Sequence, residues 1–121
     1  MTLYKLTTPF PPSVNHYWYH AKGKHFITQK GKLYRQSVIA EIIRQKSCKR
    51  LSSRIGVMVL VYPPDRRKRD LDNLMKAPLD AITHGGMIED DSLIDELIIK
   101  RREVIKGGKL EITIWEIEDA D

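Results

Sequence analysis

Hydrophobic and polar positions divide the chain into a small set of elements. Thr2 to Thr8 reads as a short strand. Pro9-Phe10-Pro11-Pro12-Ser13 stops it, because proline has no N–H for a ladder and restrains the residue before it. Asn15 to His20 then crowds polar and aromatic side chains together without helical or strand periodicity, so a loop is expected, with room for a short strand near His25 to Ile27. From Thr28, a good N-cap residue, Tyr34, Val38 and Ile42 recur every four positions with Ile39 and Ile43 beside them, which predicts a helix to about Ser47. Lys30, Lys32, Arg35, Arg44 and Lys46 fall largely off that stripe.

Ile55 to Tyr62 is a nearly continuous apolar, β-branched run closed by Pro63-Pro64, the pattern of a central strand covered on both faces. Asp70 to about His84 predicts a second helix, with Leu71, Leu74, Met75, Leu79 and Ile82 apolar, Gly85-Gly86 as its stop and a kink at Pro78. Glu96 to Ile105 and Lys109 to Ile117 predict a hairpin about Gly107-Gly108, and Glu118 to Asp121 a frayed tail. The order β-α-β-α-β-β describes one small α/β or α+β domain over residues 1–121, a mixed sheet with two main helices.

Length and composition narrow the class. A chain of 121 residues can bury one core without staples, and its single cysteine, Cys48, allows neither an intrachain disulfide nor a four-cysteine zinc site. No segment approaches the roughly 20 apolar residues of a membrane span, and no signal sequence opens the chain, so the expectation is a cytoplasmic protein without a membrane partner. The net charge of +5 hides a polarity: residues 1–69 hold 15 Lys/Arg against 2 Asp/Glu, and residues 70–121 hold 6 against 14. One half is +13 and the other −8. Nucleic acid is the leading partner class for such a basic half, the alternative being charges that interleave and only solubilise.

The densest candidate chemistry is Asp65-Arg66-Arg67-Lys68-Arg69-Asp70-Leu71-Asp72-Asn73-Leu74-Met75-Lys76, a basic loop that leaves the central strand and runs into two aspartates. Asp70 and Asp72 can aim carboxylates at one place, the hard oxygen ligands that Mg²⁺ takes with water and phosphate. Lys76 follows one turn beyond Asp72. The plainer reading makes Asp70 an N-cap, Asp72 a favoured charge at a helix start, and Asp72 with Lys76 an exposed ion pair. Glu89-Asp90-Asp91 follows the glycine pair and could fold back toward that helix start, with Asp91 as third ligand and Asp90 outside it. Alone, it reads as an exposed acidic turn.

Arg69-Asp70-Leu71-Asp72-Asn73-Leu74, then Lys76-Ala77, Asp80-Ala81 and Glu89-Asp90-Asp91, resemble the RusA family of Holliday junction resolvases. The likeness extends to Pro11-Pro12-Ser13-Val14-Asn15, the Tyr34-Arg35 helix and the Lys106-Gly107-Gly108 turn, nearly the whole chain. It implies a RusA-like nuclease domain and a homodimeric, Mg²⁺-dependent endonuclease, often carried by prophages, that resolves four-way DNA junctions by paired symmetric nicks. It places metal-binding carboxylates at Asp70, Asp72 and Asp91 and an essential cation at Lys76. One or two Mg²⁺ ions per subunit are expected, with Mn²⁺ able to substitute and no organic cofactor.

On this reading Arg66, Arg67, Lys68 and Arg69 bind flanking phosphates, with Asn15 and Asn73 completing the DNA-contacting set. His16, His20 and His25 lie in a loop with nothing to align them as ligands, and His84 suits a helix C-terminus. Tyr17, Trp18 and Tyr19 are open to two roles, stacking on unpaired bases or burial against the sheet. The competing function classes are a non-catalytic DNA-binding module and a nuclease indifferent to junction structure.

Overall fold

The computed structural model describes residues 1–118; Asp119, Ala120 and Asp121 of the expected tail lie outside the described residues. Its elements are β1 (Leu3–Thr8), α1 (Val14–Tyr17), β2 (Trp18–Ala21), β3 (Lys24–Ile27), α2 (Gln29–Arg44), β4 (Ile55–Tyr62), α3 (Lys76–His84), β5 (Ile94–Arg101) and β6 (Lys109–Glu116). A mixed four-stranded sheet runs β1-β6-β4-β5, and β2 and β3 form a separate hairpin. The β-α-β-α-β-β backbone of the expectation is present in an α+β domain. The short strand near His25 to Ile27 is present as β3; what the expectation lacked is the single turn α1 and the partner strand β2, which occupy the segment without periodicity. Four-residue strands are too short to print a pattern on the sequence.

β4 lies centrally as expected, antiparallel to β6 and parallel to β5. Its residues alternate: Val57, Val59 and Val61 are fully buried beneath α2 and α3, while Met58, Leu60 and Tyr62 on the other face are half-buried. Ile112 and Ile114 of β6 and Leu6 of β1 extend the core across the sheet. Val38 and Ile42 of α2 and Ala81 and Ile82 of α3 close it from above. Trp115 crosses the open face directly over Gly56, where any Cβ would strike its indole.

The expected β5–β6 hairpin is not formed. Both strands are present, but β4 lies between them, and residues 102–108 carry the chain across its C-terminal end. Arg102 N donates to Val61 O and Ile105 N to Pro63 O, holding that crossing in place. Apolar alternation reports that a segment is a strand, not which strand it pairs with. β5 is best matched by the parallel neighbour to which α3 returns the chain, as in any strand–helix–strand unit.

Thr28 caps α2 as expected, its hydroxyl accepting from Gly31 N at 2.9 Å, although the helix ends at Arg44 rather than Ser47. Gly31 carries the contact between α2 and α1: a Cβ there would lie 2.8 Å from the Tyr17 carbonyl oxygen and 2.9 Å from Ile27. Since a backbone atom cannot swing aside, Gly31→Ala is expected to destabilise the fold by about 1–3 kcal/mol. A lower urea midpoint with an unchanged slope is the measurement that checks it.

The second helix also departs from expectation. Asp70 and Leu71 precede a 3-10 turn over Asp72–Leu74, and α3 starts only at Lys76. Pro78 therefore stands in the first turn of α3, where its missing N–H would find no intrahelical partner anyway, so it starts the helix instead of kinking it.

Candidate active site

The loop leaving β4 is braced by its own first acid. The Asp65 carboxylate accepts from Arg67 N at 2.9 Å and from Arg69 Nη1 at 2.8 Å. The Arg69 guanidinium also lies 5.2 Å from the centroid of the Phe10 ring, and Arg101 Nη2 donates to the Arg69 carbonyl oxygen at 2.7 Å. Of the four consecutive cations, Arg69 is thus spent on holding the loop, whereas Arg66, Arg67 and Lys68 are exposed. A groove of about 420 Å³ runs beside them, walled by Pro11, Pro12, Ser13 and Lys30 on one side and by Arg67, Lys68, Asp70 and Asn73 on the other.

Hydrogen bonding from Arg69, reinforced by Arg67 N, holds the Asp65 carboxyl down at about 2. A folded value depressed below the ordinary one means a contribution to stability that is complete above about 3.8 and lost as pH falls through about 2. The expected result is an Asp65 side chain titrating near 2 by NMR, with the loop braced at every pH near neutrality. Arg69→Met should move that midpoint back toward 3.8. Asp65 was missed as a site residue, although its four-residue spacing to Arg69 is visible in the sequence.

Asp70 and Asp72 do neither the capping nor the ion pairing that the plainer reading assigned them, although Asp72 does stand as an acid in the first turn of the 3-10 segment. Leu71 and Met75 occupy the capping positions of the 3-10 turn and of α3, neither with a side-chain cap. Both aspartates are exposed. Among the described residues the ion pairs of this region run through Asp65, and none involves Asp70 or Asp72. Lys76 does not pair with Asp72; its Nζ sits 5.7 Å from the centroid of the Trp18 ring. Asn73 is half-buried beside Asp70 in the groove.

A second concavity, of about 630 Å³, adjoins Lys76 and is lined by Val14, Asn15, Trp18, Tyr19, His20 and His25. Here the three consecutive aromatics divide their roles: Tyr17 is fully buried, Trp18 half-buried and Tyr19 exposed against Phe26, ring centroids 5.2 Å apart. His20 and His25 face each other across the β2–β3 hairpin with centroids at 4.1 Å, whereas His16 Nδ1 bonds Ser13 Oγ at 3.0 Å. Of this hairpin the sequence suggested only the strand near His25 to Ile27; its pairing with β2, and the wall the two form next to Lys76, was not read from it.

The acidic cluster does not fold back as expected. Ile94, three residues after Asp91, is paired with Ile55 at the start of β4, whereas the Asp70 loop follows the end of β4 and is tied to Arg101 at the end of β5. The two ends of this parallel pair are about 20 Å apart at 3.3 Å per residue. Asp90 is committed locally: it caps the short Asp91–Leu93 turn, and bonds from the Ser92 side chain and N–H lower its pKa. Asp91 is exposed. Among the described residues, no three aspartate, glutamate, histidine or cysteine side chains converge closely enough to hold a metal ion. Among the described residues no helix is long and apolar enough to cross a membrane.

Comparison with known proteins adds an independent finding. A family model described as Endodeoxyribonuclease RusA matches residues 9–115. The chain is 40% identical over 119 residues to the "Crossover junction endodeoxyribonuclease rusA" of Enterobacteria phage HK97, covering 98% of each. It is 40% identical over 120 residues to the protein of that name from Escherichia coli O139:H28, covering 98% of this chain and 99% of the other. Against the Escherichia coli K12 relative the identity is 39% over 118 residues.

Proposed function

The chain belongs to the RusA endodeoxyribonuclease family and is a nuclease, and we propose that it resolves four-way DNA junctions in recombination and repair by paired symmetric nicks. The relatives named for crossover junctions span almost its whole length. The single observation that carries the chemical reading is the state of Asp70 and Asp72: two exposed carboxylates that neither cap a turn nor form an ion pair among the described residues, directly after four consecutive cations.

That donor set fits a divalent metal. Two hard oxygen ligands, without an ion pair among the described residues and beside a groove with a cationic wall, suit Mg²⁺, which takes one or two carboxylates and completes its shell with water and phosphate, and Mn²⁺ should substitute. Bound there, it supplies Lewis-acid polarisation of a phosphate oxygen and a water of lowered pKa. Asp91, with Asp90 outside it, joins these ligands only if the acidic segment moves to the Asp70 end or a second protomer supplies it. No organic cofactor enters this reading.

The remaining groups act on the DNA itself. Lys76, held over Trp18, brings a compact positive charge to a non-bridging phosphate oxygen at the reacting centre, a point-charge role suited to lysine. Arg66, Arg67 and Lys68 neutralise flanking phosphates without reading sequence, while Arg69 sets their loop, Asn73 offers a polar contact from the groove and Asn15 one from the adjoining concavity. If n phosphates are neutralised, the log–log salt slope on duplex arms is about −0.9n.

A four-way junction has approximate two-fold symmetry, so two identical subunits can place one site on each of two opposed strands. A homodimer is therefore part of the proposal, as are action in the cytoplasm and carriage on prophage, the latter in line with a phage relative. The test is cleavage of a synthetic mobile four-way junction in Mg²⁺, with both nicked strands mapped and with plain duplex and single strand compared at one salt concentration. Symmetric nicks on the junction are expected. Equal rates on all three substrates would overturn junction selectivity, and nicks confined to one strand would overturn the paired mechanism.

A further inference from the structure

The β2–β3 hairpin brings two histidines together that the proposed reaction does not use. Lys22 and Gly23 form its turn, both with positive φ (52° and 73°), as in the type I′ turn whose twist matches that of two paired strands. Ala21 pairs with Lys24, His20 with His25, Tyr19 with Phe26 and Trp18 with Ile27. Thr28 N donates to Tyr17 O at 2.9 Å, which fixes the alternation: Tyr17 and Thr28, Tyr19 and Phe26, and Ala21 and Lys24 are the hydrogen-bonded pairs. His20 and His25 are therefore a non-hydrogen-bonded pair, the kind whose side chains stand closest. Their ring centroids lie 4.1 Å apart, with the planes at 62°.

The fold makes no other use of this pair. His16 Nδ1 is bonded to Ser13 Oγ and His84 Nε2 lies beside Asp80, whereas neither His20 nor His25 has a hydrogen-bond or ion-pair partner among the described residues. Both are exposed, so burial does not hold them there. The hairpin is braced on its other face, where Tyr19 and Phe26 stack. The sequence offered nothing to align these histidines; the strand register aligns two of them.

Two imidazoles at directly opposed positions form a chelate for a borderline divalent ion, Zn²⁺, Ni²⁺ or Cu²⁺, with zinc at about 2.0–2.1 Å from each nitrogen. They do not suit Mg²⁺, which takes oxygen ligands. Lys76 in the same concavity, with Lys22 and Lys24 at the turn, also disfavours an ion held by charge alone. Asp70 and Asp72 have the opposite preference, and Asp70 lines a different groove. No third acid, histidine or cysteine joins the pair among the described residues, so water or a phosphate oxygen completes the shell.

We propose that His20 and His25 form a metal site of their own for a borderline divalent ion such as Zn²⁺, and that the bound ion closes the concavity beside Lys76 and inhibits cleavage. The binding stands by itself; the inhibition rests on the reading above that sets Lys76 at the reacting phosphate.

Calorimetric titration of the full chain with Zn²⁺, in excess Mg²⁺ and without DNA, is expected to show one such site per chain. His20→Ala and His25→Ala should each weaken it at least about tenfold, since even an outer partner of a metal ligand is worth that much. The double variant should lose little more, because a chelate fails with either arm. His16→Ala and Asp70→Asn should leave it unchanged. Both imidazoles are exposed, so the urea midpoints of their variants should match wild type. In junction cleavage, Zn²⁺ should inhibit the wild-type chain, whereas His25→Ala should cut as the zinc-free wild type does and resist the ion. No zinc site, or one that survives both histidine variants or vanishes with Asp70→Asn, would overturn the proposal. Zinc bound through the pair without inhibition would overturn the closure of the concavity alone. A chain that cuts no junction would overturn the proposed function, and the calorimetry would still decide the site.

Discussion

Asparagine in place of Asp70 or Asp72 is expected to lower junction cleavage in Mg²⁺ by at least about 10²-fold, the scale seen when one electrostatic element of a transition state is removed. Junction binding should hold or tighten, since one negative charge has been taken from beside a polyanion. The fold should not notice. Neither carboxylate caps its turn or helix, and neither forms an ion pair among the described residues, so the urea midpoint of each variant should match wild type. Single-turnover cleavage, a gel-shift titration and an unfolding curve measured on the same preparations make the result decisive. Cleavage retained by both variants would remove these residues from the chemistry. Cleavage lost together with the fold would contradict the structural observation on which their assignment stands.

That separation between chemistry and stability could not be made from the sequence. Asp70 before an apolar run looks like a cap, and Asp72 four residues before Lys76 looks like an ion pair; both patterns are local, and both are correct about spacing. What defeats them is the 3-10 turn over Asp72–Leu74, which delays α3 to Lys76 and swings Lys76 onto Trp18. Strong, long periodicities were legible: Thr28 as a cap, Tyr34, Val38 and Ile42 as the buried stripe of α2, and Ile55 to Tyr62 as the central strand. Partner choice was not. Nothing in Leu97-Ile98-Ile99 announces that β4 would separate β5 from β6, and the distance between Asp91 and the Asp70 loop follows entirely from that parallel pairing. The β2–β3 hairpin, of which only the strand near His25 to Ile27 was suggested, was hidden for a different reason. Its side chains are mostly exposed, so no buried face imposes an alternation on Trp18 to Ile27.

Asp80, an acid of the family-like stretch to which the sequence assigned no role, does structural work. The buried Tyr17 hydroxyl donates to its Oδ2, Arg35 reaches the same oxygen from Nη2 at 2.7 Å and from Nε at 3.2 Å, and His84 Nε2 lies 3.6 Å from Oδ1. Burial, followed by the bond to Asp80, pushes the Tyr17 phenol well above its ordinary pKa, so it remains a donor at any assay pH. One carboxylate thereby ties α1 and α2 to α3. Asp80→Ala leaves a buried hydroxyl and a largely covered guanidinium without their acceptor, a loss of about 3–5 kcal/mol for a fully buried pair. The side chains of Arg35 and Asp80 retain 22% and 16% exposure, so about 2–3 kcal/mol is expected, still a large share of a small domain's stability of about 5–15 kcal/mol. The urea midpoint should fall accordingly. In a double-mutant cycle, Arg35→Met should cost much less in the Asp80→Ala background than in wild type, because the ion pair is already gone. Since α1 leads directly into Trp18, over which Lys76 rests, cleavage by Asp80→Ala should fall along with stability and recover when the fold is restored by cooling or a stabilising osmolyte. Asp70→Asn should not recover under those conditions, and that contrast distinguishes an acid that holds the site together from one that acts in it.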